Sequence, residues 1–287
     1  MRYGVTMFAT DVSIDVVELA RATEGRGLAS LWLPEHTHIP SSRKTPYPGS
    51  ASGNLPEEYW RALDPLVALG AAAVAAPTLR LGTGILLAAQ RDPIVTAKAV
   101  ASLDHVSGGR LSLGVGFGWN VEEMNDHGVD FGQRRAVGRE HILAMQALWR
   151  DDEASFAGDH VSFGPSWSWP KPAQRDSAGR PSVPVLVGGG AGPKLFSAVA
   201  EYGSGWIPIG GAGMTAALPR LREAVAAAGR DPDGLEIVPF FVLPDAGKLD
   251  HYQQIGCTEV VFGLPSAPRD PVLRVLDRYA ELVAARA

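Results

Sequence analysis

The sequence predicts a (β/α)8 barrel of eight parallel strands enclosed by helices. Eight short apolar runs alternate with amphipathic helical stretches along the 287 residues. The runs are nearly continuous in apolar residues, which is typical of parallel strands buried on both faces. The first run is followed by ATDVS at 9–13, without the glycines of a dinucleotide-binding turn. This absence disfavours the alternative, a doubly wound open sheet.

Each predicted strand precedes a predicted helix. The strands are expected at 2–8, 28–33, 80–87, 110–116, 183–188, 204–208, 235–242 and 258–263. The helices are expected at 13–25, 64–76, 93–107, 133–150, 193–202, 214–229, 245–255 and 270–285. Asp92-Pro93 and Asp270-Pro271 each combine an N-cap with a proline at the first helical position, which indicates a helix start.

Two polar segments rich in proline, glycine and serine interrupt the alternation. Residues 36–60 follow the second strand, and residues 151–182 lie between the fourth and fifth strands. Within the latter, FAGDHVSF at 156–163 predicts a small hairpin. Long barrel insertions usually lie over the carboxyl ends of the strands, so we expect both segments to shape a substrate pocket. No linker is evident, and we expect a single domain spanning 1–287.

Composition narrows the class of partner. The formal net charge of −5 argues against nucleic acid. No apolar run approaches the roughly 20 residues of a membrane span, and the N-terminus does not resemble a signal peptide. The single cysteine, Cys257, allows neither an internal disulfide nor a cysteine-based metal cluster. We expect a cytoplasmic protein that acts on a small molecule without a catalytic metal.

Chemistry-bearing residues follow the second strand. In a (β/α)8 barrel the active site lies where strands end, and this strand ends in Glu35 and His36. An imidazole can donate or accept a proton near neutral pH, so both residues are candidate catalytic groups. The alternative is a structural pair that closes the rim of the barrel.

A glycine loop after the fifth strand predicts an anion site. Gly188, Gly189 and Gly190 leave backbone N–H groups free at the start of a helix, which suits a phosphate. Gly205 and Trp206 on the next strand are candidates to complete this pocket. A flexible connection without a ligand is the alternative.

The fourth strand, LSLGVGFGWN, alternates glycine and ends in Trp119 and Asn120. Glycine within a strand often marks the close approach of a ligand or of another backbone. A flat conjugated cofactor against Gly116, with the indole and the amide at the mouth, would explain both features. Alternatively, the glycines relieve crowding inside the barrel and Trp119 belongs to the core.

These segments, in their order, resemble the bacterial luciferase-like family. The similar segments are RDPIVTAKAVASLDHVSGGRLSLGVGFGWNVEEM at 91–124, PVLVGGGAG at 184–192, YGSGWIP at 202–208, SWSWPKPAQ at 166–174 and LPEHTHIP at 33–40. Within the family, the chain is most similar to the deazaflavin-dependent branch, whose members use coenzyme F420. The resemblance covers nearly the whole chain and implies a luciferase-like barrel with the cofactor across its mouth.

The resemblance also implies roles for particular residues. It places Glu35 against the cofactor ring and His36 near the reactive carbon. It implies a cis peptide on the third strand, beneath the ring. The cofactor-binding positions that match are Glu35, Thr83, Gly84, Ile85, Gly116, Trp119, Asn120, Gly188, Gly189, Gly190, Gly205 and Trp206. Trp119 stands where sugar-phosphate dehydrogenases of the family have a proton-donating glutamate, which speaks against that substrate class.

The function implied is an F420-dependent oxidoreductase. It would transfer a hydride between the deazaflavin C5 and a small organic substrate, most simply as an F420H2-dependent reductase. One alternative is an FMN-dependent monooxygenase that uses reduced flavin and oxygen, and another is a non-catalytic cofactor-binding protein. The resemblance further implies a homodimer and an F420-reducing enzyme as redox supplier. Arg43, Lys44 and Arg91 are candidates for the anionic F420 tail, or else are solvated charges.

Overall fold

The computed structural model describes residues 1–286. The strands are β1 (Arg2–Thr6), β2 (Ser30–Leu33), β3 (Arg80–Thr83), β4 (Leu86–Leu87), β5 (Leu111–Gly116), β6 (Ala154–Ala157), β7 (Ser162–Ser166), β8 (Val185–Gly188), β9 (Gly205–Ile207), β10 (Glu236–Ile237) and β11 (Glu259–Gly263). The helices are α1 (Val16–Gly25), α2 (Glu58–Arg61), α3 (Pro65–Ala75), α4 (Pro93–Ser107), α5 (Val121–Asp126), α6 (Arg134–Arg150), α7 (Pro193–Tyr202), α8 (Met214–Ala227), α9 (Ala246–Gln254) and α10 (Arg269–Ala284).

Eight parallel strands form the barrel in the order β10-β9-β8-β5-β3-β2-β1-β11. The barrel closes between its two ends, where Phe240, just beyond β10, forms a parallel bridge with Val261 of β11. The backbone N–H of Val261 donates to the carbonyl of Pro239 at 2.9 Å in the same seam. The predicted (β/α)8 barrel is therefore confirmed.

Several predicted boundaries differ from the structure. The expected strand 80–87 divides into β3 and β4, because the chain turns at Gly84. The expected strand 235–242 keeps regular pairing only over β10. Helix α10 begins at Arg269, with Pro268 in the N-cap position, so the predicted start, with Asp270 as N-cap and Pro271 as first helical residue, is wrong by two residues. Helices α2 and α5 were not predicted, since each spans fewer than two full turns.

The core has two layers. Inside the barrel, six buried apolar residues pack together: Trp32, Leu186, Ile207, Val238, Phe240 and Val261. A larger apolar layer fills the space between the strands and the helices. Gly82 and Gly84 on the third strand admit the Trp32 and Phe240 rings, with which a β-carbon would clash. Packing inside the barrel therefore accounts for these glycines.

The second insertion takes a position that the sequence did not predict. Its expected hairpin is confirmed, because β6 and β7 pair antiparallel. Contrary to expectation, the segment contributes no residue to the cavity at the carboxyl ends of the strands; it packs against the outside of α4 and α6. Gln174 donates through its side chain to Asp104 at 2.7 Å, and Lys171 donates to the Leu148 carbonyl at 2.9 Å.

The physical reason lies in the connectivity. The insertion follows helix α6, whose C-terminus lies at the amino ends of the strands, and it leads into the start of β8. It therefore begins and ends at the face of the barrel opposite the site. Over residues 1–286, the helices are all too short or too polar to cross a bilayer.

Candidate functional site

A cavity of about 810 Å³ opens at the carboxyl ends of the strands. This is within the usual size range of ligand pockets, roughly 300–1,000 Å³. Its wall is mostly apolar, and the first insertion closes it on one side with Tyr47 and Tyr59. The charged or titratable members of the wall, tyrosines aside, are Glu35, His36, Glu58, Arg134 and Arg135.

His36 is held by a carboxylate that the sequence analysis did not identify. Its Nδ1 lies 2.8 Å from Oε2 of Glu123, and the two side chains are 6% and 1% exposed. The other carboxylate oxygen of Glu123 is buried and has no partner within residues 1–286. With Nδ1–H donating to Glu123, Nε2 is the ring atom left to meet a ligand. The pair fixes both the tautomer and the orientation of the imidazole.

Glu35 lines the cavity, but its carboxylate is already engaged. One oxygen accepts from the backbone N–H of Leu87 at 2.6 Å, and the other accepts from Arg91 Nε at 2.5 Å. Arg91 also pairs with Asp64. Burial by itself lowers the pKa of Arg91, but the two carboxylates outweigh it and raise that pKa. Glu35 is thus a neutralised wall residue, and Arg91 is not a free cation for a cofactor tail.

Aromatic rings lie around the imidazole, and Tyr59 of the first insertion is one of them. The Tyr59 ring centroid lies 5.1 Å from that of His36, and the Tyr47 centroid lies 5.6 Å from that of Trp119. The two tyrosine hydroxyls are 2.8 Å apart. Burial, followed by this hydrogen bond, raises the pKa of Tyr59, so its hydroxyl stays neutral at physiological pH. Trp119 therefore forms part of an aromatic wall rather than of the core.

Glu122 fastens this insertion to α5. Its carboxylate accepts from the Thr45 hydroxyl at 2.6 Å and from the backbone N–H of Lys44 at 2.7 Å. These hydrogen bonds, that of Thr45 foremost, lower the pKa of Glu122 to about 2. Arg43 donates to backbone carbonyls within the same insertion, so it too is engaged locally.

The turn after β3 and the end of β5 supply the floor of the cavity. The peptide between Gly84 and Ile85 is cis, as the resemblance predicts, and both residues line the cavity. Gly116 also lines it, and a β-carbon there would clash with Ile85. By contrast, the missing side chain of Gly114 leaves room for the Thr83 carbonyl. Crowding within the barrel explains Gly114, whereas Gly116 borders the cavity.

The glycine loop after β8 contributes free donors. Gly188, Gly189 and Gly190 line the cavity, and Gly189 has φ 144°, a backbone conformation that favours glycine. Among the described residues, no acceptor meets the N–H groups of Gly190 and the two residues after it. They precede helix α7, whose N-terminus adds partial positive charge. The loop therefore fits a phosphate.

Four predicted cofactor-binding residues do not line the cavity. Trp206 is buried and donates from Nε1 to the Gly189 carbonyl at 2.8 Å, so it positions the loop from behind. Gly205 packs against the backbone of Glu236. Thr83 donates to the Gly114 carbonyl at 2.7 Å, and Asn120 caps helix α5. In each case the residue serves the framework of the barrel.

Four residues at the site were not predicted: Glu123, Tyr59, Arg134 and Arg135. Glu123 stands three residues after the N-cap Asn120, a spacing typical of a capping box. A helix-capping role would be sufficient to explain this glutamate, so the sequence does not indicate its contact with His36. The arginines carried a detectable signal, because basic residues are unfavourable in the first turn of a helix and α6 begins with two. Over residues 1–286, no group of three or more histidine, cysteine or acidic side chains is placed to bind a metal.

The fold and this cavity define the class of protein: a (β/α)8 barrel with a ligand site at the carboxyl ends of its strands. The luciferase-like monooxygenase family model matches residues 8–244, and the chain belongs to this family. Its relatives include F420-dependent oxidoreductases, and its structural neighbours include flavin monooxygenases.

Two relatives illustrate the range of sequence identity within the family. An uncharacterized protein of Mycobacterium tuberculosis is 42% identical over 287 residues, 99% of each chain. An F420-dependent glucose-6-phosphate dehydrogenase of Amycolatopsis mediterranei is 30% identical over 215 residues, covering 74% of this chain and 58% of the relative.

Two solved structures share the fold. A monooxygenase from Streptomyces bottropensis matches with a TM-score of 0.81 at 20% identity, over 100% of this chain and 99% of that one. An F420-dependent secondary alcohol dehydrogenase, in complex with an F420-acetone adduct, matches with a TM-score of 0.76 at 19% identity, over 100% of both chains.

Proposed function

We propose that this protein is an F420-dependent oxidoreductase that reduces a small unsaturated or imine-containing molecule. The observation that carries the proposal is the buried His36–Glu123 pair, which presents an oriented imidazole to a large apolar cavity. The F420-dependent dehydrogenase relative, 30% identical to this chain, supports the choice of cofactor.

The residues present fit a deazaflavin or a flavin. Such a molecule combines a flat ring with a phosphate-bearing chain. The apolar wall around Ile85 and Gly116 suits the ring, and the free N–H groups that begin at Gly190 suit a phosphate. Reduced F420, when bound, supplies a hydride to an electron-poor carbon of the substrate.

The protein's own part is orientation and proton supply. His36, in its protonated form, holds a proton on Nε2 at the cavity and donates it to the substrate, while Glu123 keeps the ring in place. The product thus gains one hydride from the reduced cofactor and one proton from His36. The wall formed by Tyr47, Tyr59 and Trp119 favours an apolar, ring-containing substrate over a sugar phosphate.

The test is a fluorescence titration with F420 and with FMN, each oxidised and reduced. Tight F420 binding and weak FMN binding, followed by turnover of enones or imines with F420H2, would support the proposal. Tight FMN binding with oxygen-dependent turnover would support the second candidate, an FMN-dependent monooxygenase, which the fold match to the Streptomyces monooxygenase favours. Binding without turnover of any substrate would favour a non-catalytic cofactor carrier.

We also propose that the protein is a homodimer and receives reduced cofactor from a separate F420-reducing enzyme. Val67 and Val74 are both 76% exposed and lie seven residues apart, so they share one face of α3. Val95 and Val106 are exposed on the neighbouring helix α4. Exposed apolar faces of this kind often mark interfaces. Light scattering should give a dimer mass for the wild type and a monomer mass for V67E/V74E; a monomeric wild type would contradict the proposal.

A further inference from the structure

Two tyrosine hydroxyls meet in the wall of the cavity. The hydroxyl oxygens of Tyr47 and Tyr59 lie 2.8 Å apart, and both residues line the cavity. Apart from this contact, neither hydroxyl has a hydrogen-bond partner within residues 1–286. A tyrosine hydroxyl carries one donor proton, and the shared hydrogen bond uses only one of the two protons in the pair. One O–H group of the pair therefore remains free to donate to a ligand.

Ring packing fixes where this donor lies. The Tyr59 ring packs against Phe8 at 4.5 Å and against Tyr47 at 4.9 Å, measured between ring centroids. The Tyr47 centroid lies 5.6 Å from that of Trp119. Gly49 leaves room for the Tyr47 ring, with which a β-carbon would clash. The donor is thus held in place before a ligand binds, as a hydrogen-bond donor to a developing charge should be.

The tyrosine pair lies beside the imidazole that supplies the proton, since the ring centroids of Tyr59 and His36 are 5.1 Å apart. The cavity therefore has two kinds of donor. An imidazolium gives up its proton near neutral pH, whereas a phenol, with a usual pKa of roughly 10, holds a hydrogen bond and keeps its proton.

Two donors of this kind match one of the two substrate types under the proposed function. Reduction of an imine needs a single donor, because the hydride adds to the carbon and the proton adds to the adjacent nitrogen. Reduction of the C=C bond in an α,β-unsaturated carbonyl compound needs two donors. One stabilises the negative charge that develops on the carbonyl oxygen, and the other gives a proton to the α-carbon.

We propose that the Tyr47–Tyr59 pair is a catalytic hydrogen-bond donor to the carbonyl oxygen of an α,β-unsaturated aldehyde or ketone. This inference rests on the proposed function and narrows its substrate to that class. The β-carbon of the substrate takes the hydride of the reduced cofactor, the C=C π bond breaks, and its electron pair moves towards the carbonyl oxygen, where the tyrosine pair stabilises the charge. His36 then donates its proton to the α-carbon, and the C=O bond forms again. The substrate gains one hydride and one proton, and the cofactor is oxidised by two electrons.

The first test measures turnover of 2-cyclohexen-1-one with F420H2. Y47F/Y59F should lose roughly 10²-fold or more in kcat, the loss typical of an oxyanion donor, with F420H2 affinity changed less than about twofold. Y47F and Y59F each keep one hydroxyl and should each lose less, roughly threefold to tenfold. Y279F is the matched control and should behave as the wild type, because Tyr279 does not line the cavity and its hydroxyl donates to the Gly263 carbonyl at 2.7 Å.

Three results of this test would overturn the inference. A double variant that reduces the enone as fast as the wild type does would remove the tyrosine pair from the reaction and leave the proposed function in place. A parallel loss of kcat and of F420H2 affinity would mean that the pair holds the cofactor instead of the substrate. Wild-type protein that reduces the cyclic imine 1-pyrroline but no enone would exclude the substrate class.

A second measurement needs no cofactor and therefore separates this inference from the proposed function. The probe is 4-(dimethylamino)cinnamaldehyde, an unsaturated aldehyde whose visible absorption moves to longer wavelength as the hydrogen bond to its carbonyl oxygen strengthens. Its absorption maximum should lie at longer wavelength on the wild type and on Y279F than on Y47F/Y59F. The same maximum on all three proteins, or no binding to the wild type, would overturn the carbonyl site. A shift confined to the wild type and Y279F, without turnover of any enone by F420H2, would support the carbonyl site and contradict the proposed function.

Discussion

The two insertions are alike in composition and opposite in role. Residues 36–60 cover one side of the cavity and bring the Tyr59 ring to His36, whereas residues 151–182 run along the outside of the barrel and contribute nothing to the cavity wall. The first insertion leaves the carboxyl end of a strand, and the second leaves the C-terminus of a helix. In a barrel these points lie on opposite faces. The attachment point, more than the polarity of a segment, decides whether it can reach a substrate.

The largest expected effect lies where the first insertion begins. His36→Ala should lower turnover about 10²- to 10⁴-fold, the range for loss of a general acid, while cofactor affinity changes by less than about threefold. Single-turnover kinetics and fluorescence titration of the same protein measure the two quantities. Equal losses in both would mean that His36 binds the cofactor rather than donating a proton.

Glu123→Gln should have the next largest effect. Removing a hydrogen bond to a charged partner costs about 1.5–3 kcal/mol, which corresponds to roughly 10- to 150-fold in kcat with KM little changed. Nitrogen NMR should also show that the His36 ring loses its single tautomer. A purely structural Glu123 would lower stability without altering the tautomer, and Glu123→Asp should recover part of the activity if the carboxylate is what matters.

A change in residues 151–182, the outer insertion, should affect stability alone. The Gln174 side chain bonds to the carboxylate of the buried residue Asp104 and to the Leu111 carbonyl. Gln174→Ala should lower the free energy of unfolding by about 1–3 kcal/mol, because it leaves buried acceptors unsatisfied, with turnover preserved. Urea unfolding measures the loss, and Arg175→Ala, at an exposed neighbour, is the control. A loss of turnover in the folded Gln174→Ala variant would mean that residues 151–182 also affect the site.

The smallest effect concerns the anchor of the first insertion. Glu122→Gln should make residues 36–60 roughly two- to fivefold more susceptible to proteolysis, as expected for loss of partly exposed charged contacts. Asp152→Asn, an exposed change in the outer insertion, should leave that susceptibility as it was. If Asp152→Asn raised the susceptibility and Glu122→Gln did not, a contact other than that of Glu122 would anchor residues 36–60.

The same anchor has a defined pH dependence. The pKa of Glu122 falls from 4.5 to about 2 in the folded protein, so the folded state favours the carboxylate. Its stabilisation is fully present above about pH 4.5 and is lost as the pH falls towards 2. Hydrogen exchange of residues 36–60, corrected for intrinsic rates, should show protection declining through that window, and Glu122→Gln should abolish the dependence.

Sequence patterns were sufficient for the barrel and for part of the site. Strand and helix periodicity, Asp92-Pro93 and the order of the glycine segments are local properties, and local chain geometry follows from them directly. The positions of Glu35, His36 and Gly188–Gly190 at the mouth also follow, because every strand of a parallel barrel ends on the same face.

Only the tertiary structure decided how those residues are used. Glu35 is paired with Arg91, 56 positions along the chain, and His36 is paired with Glu123, 87 positions along. No local pattern encodes such contacts, because they depend on how helices and loops pack above the strands. Likewise, Asn120 and Trp206 carry the residue types of a binding site but serve the framework. The sequence determined the scaffold and the candidate groups, and long-range packing selected which of them meet in the cavity.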